Sequence, residues 1–149
     1  MNLNDNIIAD IRQFNRFYTN KLGLLDKHVL NNRYSFTEGR VILEIGFLEP
    51  CIANHLVEKL DIDRSYLSRI IARLCKDGLL IKEGSSVDNR TSLIRLTPKG
   101  IAFFNELNEK SNEQIVKLLQ GLSQKEIKEI HASMLLIQEK LHGSEENFE

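Results

Sequence analysis

Tryptophan is absent from this 149-residue chain, and proline, cysteine and methionine each occur only twice. With prolines at 50 and 98 alone, long segments are left open to helix. The two thiols, Cys51 and Cys75, stand 24 positions apart with no CxxC, which argues against a disulfide framework or a thiolate metal site. Each lies among apolar neighbours in a predicted helix, so both read as inert core thiols. No apolar run approaches 18 residues and no signal peptide opens the chain. The expectation is a cytoplasmic protein, not a membrane one. What is plentiful is Leu, Ile, Lys, Glu, Gln and Arg, a composition that favours helices. A chain of this length fits one domain and buries roughly 68–70% of its unfolded surface.

The net charge of -1 conceals an asymmetry. Residues 61–100 hold 8 basic side chains (Arg64, Arg69, Arg73, Lys76, Lys82, Arg90, Arg95 and Lys99) against 5 acidic ones, whereas 101–149 hold 5 against 9. The positive excess is confined to the centre, where a polyanion would be met.

Apolar spacing gives the order of elements. Ile7, Ile11, Phe14, Tyr18, Leu22, Leu25 and Val29 form one stripe of a long first helix ending at Asn31–Asn32. Ser35 and Glu38 form a capping box for a second helix facing inward through Val41, Ile42, Ile45 and Leu48, with Pro50 after it. A short helix with Ala53, Leu56, Val57 and Leu60 inward, a tight turn at Asp61, and a helix capped by Asp63 and stopped by Gly78 complete a helix-turn-helix. Its second helix turns Leu67, Ile70, Ile71 and Leu74 inward and leaves Arg64, Ser65, Ser68, Arg69 and Arg73 outside, Tyr66 standing at the boundary. "LLIKEG" and "TSLIRLT" read as two strands joined by the tip "SSVDNR". Thr97 and Pro98 open a fifth helix, led by Ile101, Phe104 and Leu107 and polar through "NEKSNEQ". Ser123 and Glu126 cap a sixth, whose stripe is Ile127, Ile130, Met134, Ile137 and Leu141. The tail 143–149 is acidic and is expected to be flexible.

The expected fold is therefore mainly α with a small β-wing. Residues 35–100 make a winged helix-turn-helix lobe, and 1–32 with 101–142 make a helical lobe. The stripes of the first and last helices, with Ile7, Ile11 and Phe14 on one and Ile127 to Leu141 on the other, need a surface to pack against. Each other and a second copy of the chain supply it, giving a homodimer.

A helix of short hydroxyls and arginines suits the major groove of duplex DNA, where Arg hydrogen-bonds guanine edges in bidentate fashion. A hairpin carrying Arg90 places a guanidinium in the neighbouring minor groove, and Asp88, two residues earlier, braces the tip. The DNA-binding set is thus Arg64, Ser65, Tyr66, Ser68, Arg69, Arg73, Asp88 and Arg90. Taken singly, such arginines are ordinary solvated charge; the order of elements in the one basic segment is what points to DNA.

"DNRTSLIRLTPKG" resembles the wing signature of the MarR family, an Asp-x-Arg, an alternating strand and Leu-Thr-x-x-Gly, here Asp88, Arg90, Leu96, Thr97 and Gly100. "DIDRSYLSRIIARLCKDGLL" resembles that family's recognition helix and its exit. The resemblance implies a homodimeric transcriptional regulator, a repressor that blocks polymerase, gripping a pseudo-palindromic operator. It also implies sensitivity to a small aromatic acid, for which Phe14, Phe17, Tyr18, Phe36 and Phe47 offer a lining, although apolar residues at helical spacing are more often plain core. A narrower likeness, in "RQFNRFYTNKLGLLD", "SFTEGRVILEI" and "YLSRIIARL", is to the MarR-like N-terminal region of proteins that continue into a GNAT-type acetyltransferase. The chain ends at Glu149 without a Gly-rich pyrophosphate loop, so acetyl transfer is not assigned to it. Two alternatives stand beside the repressor: a regulatory domain excised from such a MarR–GNAT acetyltransferase, and a winged helix serving as a protein-interaction module.

No cofactor or metal is expected. His28, His55, His131 and His142 are scattered with no i, i+4 pair, even though some MarR relatives bind zinc. No nucleophile elbow or paired-carboxylate arrangement stands out, so the chain reads as a regulator, not an enzyme.

Overall fold

A computed structural model describes residues 3–23, 33–85 and 88–146; at 85, 88–91 and 144–146 the description covers the backbone alone. The chain divides into two compact units, Met1–Asn112 and Glu113–Glu149.

In the first unit α1 (Asp5–Leu22) is capped by Asn4, whose side chain accepts from the Asn6 N–H, and it has no buried residue. It ends earlier than the apolar stripe predicts. Gly23 takes the left-handed conformation, φ 67°, and closes the last turn through its N–H, so a local glycine stop overrides a continuing apolar period. Leu25 and Val29 lie outside the described residues.

Helix α2 (Phe36–Leu48) opens with the expected capping box, in which the Ser35 hydroxyl accepts from the Glu38 N–H and the Glu38 carboxylate from the Ser35 N–H. Val41, Ile42 and Ile45 are buried, while Leu48 is exposed. Next comes a two-residue strand, β1 (Cys51–Ile52), where the sequence suggested helix. Cys51 faces Ile94 and Ile52 faces Leu93 in antiparallel register, so a distant strand, not a local propensity, makes this segment extended. Helices α3 (Ala53–Leu60) and α4 (Arg64–Lys76) follow, then β2 (Leu80–Ser85) and β3 (Asp88–Leu96).

The sheet has three strands in the order β1-β3-β2, not the two the sequence suggested. Its register pairs Leu80 with Leu96 and runs to Ser85 opposite Asp88, with an irregularity between Glu83 and Ser85. The strands therefore reach further into the tip than expected. Asp88 and Arg90 belong to β3, and their side chains, like residues 86–87, lie outside the described residues.

Core residues come from every element around this sheet: Val41, Ile42 and Ile45 of α2, Leu56 of α3, Leu67, Ile70, Ile71 and Leu74 of α4, and Leu80, Ile94 and Leu96 of the strands, with Leu107 of α5 (Pro98–Leu118). A fully buried aliphatic side chain is worth roughly 1.5–3 kcal/mol, against at most about 1 kcal/mol for an exposed ion pair such as Arg95–Glu83. The core, not surface charge, holds the lobe together. Where α5 begins, Gly100 lies so close to the Leu79 carbonyl that any Cβ there would collide with it. That contact explains the glycine of Leu-Thr-x-x-Gly.

The second unit contains the end of α5, the turn at Gly121 and α6 (Gln124–Glu146). Ser123 and Glu126 form the predicted capping box, each hydrogen bond 3.2 Å long. Ile127, Ile130 and Met134 are half-buried, whereas Leu135, Leu136, Ile137 and Leu141 are exposed. Helix α6 runs on to Glu146, into the segment expected to be a flexible tail. Among the described residues, no helix is long and apolar enough to cross a membrane.

Candidate nucleic-acid interface

The geometry of the α3–α4 pair is fixed by two aspartates. Asp61 adopts φ 48°, ψ 52°, the left-handed region that Asp tolerates better than most residues, and its N–H closes α3 on the Val57 carbonyl. Asp63 then caps α4, its carboxylate accepting from the Tyr66 N–H at 3.0 Å. A turn this short forces α4 to leave α3 at a set angle, and the buried row Leu67, Ile70, Ile71 and Leu74 fixes which face of α4 looks inward.

The opposite face is exposed along Arg64, Ser65, Tyr66, Ser68 and Arg69. Arg69 lies over the Tyr66 ring, 5.9 Å from its centroid, and neither Arg64 nor Arg69 has a hydrogen-bond or ion-pair partner among the described residues. Two hydroxyls, a phenol and two guanidinium groups thus present donors and acceptors on one solvated surface. Arg73, one turn beyond Arg69, behaves differently. Its guanidinium donates to Glu38 Oε2 at 2.7 Å and to the Arg33 carbonyl at 2.9 Å, and stacks 5.3 Å from the Tyr34 centroid.

Other members of the basic centre are also engaged within the protein. Arg95 donates to Glu83 at 2.9 Å across the hairpin, and Lys99 donates to the Asp77 carbonyl at 2.9 Å. Thr97 caps α5 through the Gly100 N–H while its hydroxyl donates to the Gly78 carbonyl, tying the exit of α4 to the entry of α5. Tyr34 donates to Asp77 at 2.8 Å; burial first, then the bond to and charge of Asp77, raise its pKa, which keeps the phenol a donor.

Comparison with known proteins bears on this arrangement. A MarR family model matches residues 34–91. The HTH-type transcriptional regulator MgrA of Staphylococcus aureus is 30% identical over 140 residues, covering 93% of this chain and 86% of that protein. The chain belongs to the MarR family. It is a transcriptional regulator of the DNA-binding winged-helix class, as its relative MgrA is an HTH-type transcriptional regulator. Two solved structures share its fold. MarR from E. coli, complexed with operator DNA, superposes with a TM-score of 0.72 at 20% identity, covering 92% of this chain and 99% of that one. Staphylococcus aureus MarR, in complex with salicylate and kanamycin, gives 0.70 at 20%, covering 93% and 92%.

Within this MarR fold the residues expected to read DNA are differently engaged. Arg64 to Arg69 are together on α4, Arg73 turns to α2, and the side chains of Asp88 and Arg90 are outside the described residues. Phe14 and Tyr18 stack on each other on α1, with centroids 5.7 Å apart, and Phe47 meets Phe104 edge-on at 5.2 Å. Phe17 and Phe36 are exposed. Sequence reasoning missed the second use of Glu38. It serves as a capping residue and also holds Arg73, and only the second use depends on a partner 35 positions away.

Among the described residues, no cluster of His, Cys, Asp and Glu could hold a metal ion. Burial, with Glu44 adding, raises the Cys51 thiol pKa, and burial raises that of Cys75, so neither is a ready thiolate.

Proposed function

We propose that this MarR regulator acts in the cytoplasm as a homodimer that recognises a pseudo-palindromic operator in double-stranded DNA, laying α4 of each protomer in the major groove. The observation that carries this is the outward face of α4. Arg64, Ser65, Tyr66, Ser68 and Arg69 stand exposed, neither arginine having a hydrogen-bond or ion-pair partner among the described residues, on a helix whose other face is buried. Arg69 reads a base edge and Arg64, at the helix start, meets phosphate. The end of β3 that bears Asp88 and Arg90 serves the adjacent minor groove, Asp88 bracing and Arg90 entering. Ile7, Ile11 and Phe14 of α1 and Ile127, Ile130, Met134, Ile137 and Leu141 of α6 form the dimer lobe. Bound to its operator the dimer represses by blocking polymerase, and a small aromatic ligand releases it. The chain itself carries no catalysis.

A fluorescence-anisotropy titration against duplexes selected from a random pool tests the reading. Affinity should fall steeply with salt as neutralised phosphates release counterions. Arg69→Ala should cost about 1–3 kcal/mol on the selected duplex and relax its sequence preference. Equal weakening on every duplex would reduce Arg69 to a phosphate contact, and absence of binding at low salt would overturn the reading.

A further inference from the structure

Arg73 sits on the recognition helix, yet its guanidinium is taken up by other elements. One nitrogen reaches Glu38 Oε2 at 2.7 Å, another the Arg33 carbonyl at 2.9 Å, and the central carbon lies over the Tyr34 ring, 5.3 Å from its centroid. Glu38 is itself fixed, since its other oxygen accepts from the Ser35 N–H at 2.9 Å and its side chain is only 8% exposed. Tyr34 continues the chain of contacts. Its hydroxyl donates to Asp77, the C-cap of α4, while its ring packs against Phe103 at 5.2 Å. Asp77 in turn accepts from Lys99 of α5 through its carbonyl.

The C-terminal half of α4 is thereby held from two sides. On one side stands the start of α2, through Glu38, Arg33 and Tyr34; on the other the start of α5, through Lys99 and through Thr97 on Gly78. Burial of Leu67, Ile70, Ile71 and Leu74 places the helix on the core, but apolar contact is non-directional and tolerates small rotations about the helix axis. A charge-assisted, planar contact does not. Arg69 is one turn from Arg73 on nearly the same face, so a rotation at Arg73 carries the Arg69 guanidinium with it.

We propose that Arg73, Glu38, Tyr34 and Asp77 form a clamp that sets the rotation of α4. Arg73 is a positioning residue: it governs base reading through Arg69 and does not itself touch DNA. The proposal rests on the major-groove placement of α4 given above.

The experiment compares Arg73→Lys, Glu38→Gln and a control, Ile42→Val, which loosens the same lobe without touching the clamp. Each is titrated over a salt series against the selected duplex and against a scrambled duplex of equal length. Circular dichroism below the melting transition verifies folding. Lys keeps the charge but loses the planar fork, so the clamp predicts that Arg73→Lys lowers the ratio of selected to scrambled affinity about tenfold, with the salt slope unchanged. Glu38→Gln, which removes a negative charge, should lower the ratio in the same way. Ile42→Val should leave it alone. A wild-type ratio in Arg73→Lys, or a Glu38→Gln variant that binds both duplexes more tightly, would overturn the clamp and make Arg73 a phosphate contact. So would an equal fall in the control. If the wild type prefers no duplex at all, the major-groove reading fails, and the clamp with it; a kept ratio in Arg73→Lys overturns the clamp alone.

Discussion

At the scale of single residues, small geometric requirements decide what the sequence tolerates. Gly100 is the sharpest case, because the obstacle to a Cβ is the Leu79 carbonyl, a backbone group that cannot rotate away. Gly100→Ala must push α5 from the end of α4 and disturb the Thr97 N–H bond to Leu79, 3.0 Å long. We expect a loss of roughly 1–3 kcal/mol, read as a lower urea midpoint with an unchanged slope. Gly143 gives the contrast. It lies inside α6, where an added Cβ would meet nothing within 4 Å among the described residues, so Gly143→Ala should gain up to about 1 kcal/mol by lowering the entropy of the unfolded chain. Equal effects of the two substitutions would mean that the close approach at Leu79 does not govern this site.

At the scale of elements, stability at helix ends depends on caps that are written locally. Asp63 accepts from the Tyr66 N–H at 3.0 Å, and it also starts the helix proposed to read DNA. Asp63→Ala should cost about 1 kcal/mol. Ser35→Ala should cost a similar amount, since it removes the hydroxyl that accepts from the Glu38 N–H while the backbone N–H of residue 35 can still donate to the Glu38 carboxylate. Thermal melts of the two variants, with hydrogen exchange at the first turn of each helix, check this; exchange unchanged in both would show that neither cap is needed.

The same distinction explains what could be read in the sequence. Caps, the Asp61 turn and the inward row of α4 depend on residues spaced no more than four positions from the next, and they stand as the sequence suggested. Strand β1 does not, because Cys51 becomes extended only by pairing with Ile94. The length of the hairpin strands and the turning of Arg73 toward Glu38 are likewise set by partners distant in the chain. The end of α1 is the exception. Gly23 was a local signal, but the apolar period running on past it pointed to a longer helix.

At the scale of the whole molecule, the exposed apolar rows call for explanation. Ile7, Ile11 and Phe14 are each close to half exposed on a helix with no buried residue, and Ile137 is 48% exposed on α6. Burying an isoleucine gains roughly 1.5–3 kcal/mol, whereas a carboxylate in the same place would have to be desolvated. Ile11→Glu and Ile137→Glu should therefore convert a dimer into monomers by sedimentation velocity while the circular dichroism of the protomer persists. DNA binding then supplies an independent measure. A monomer neutralises half the phosphates that a dimer does, so the slope of log affinity against log salt should fall to about half its wild-type value. A surface substitution that merely weakened one DNA contact would shift the slope by about one unit instead. Variants that remain dimeric and keep the full slope would place the interface between protomers elsewhere than on α1 and α6.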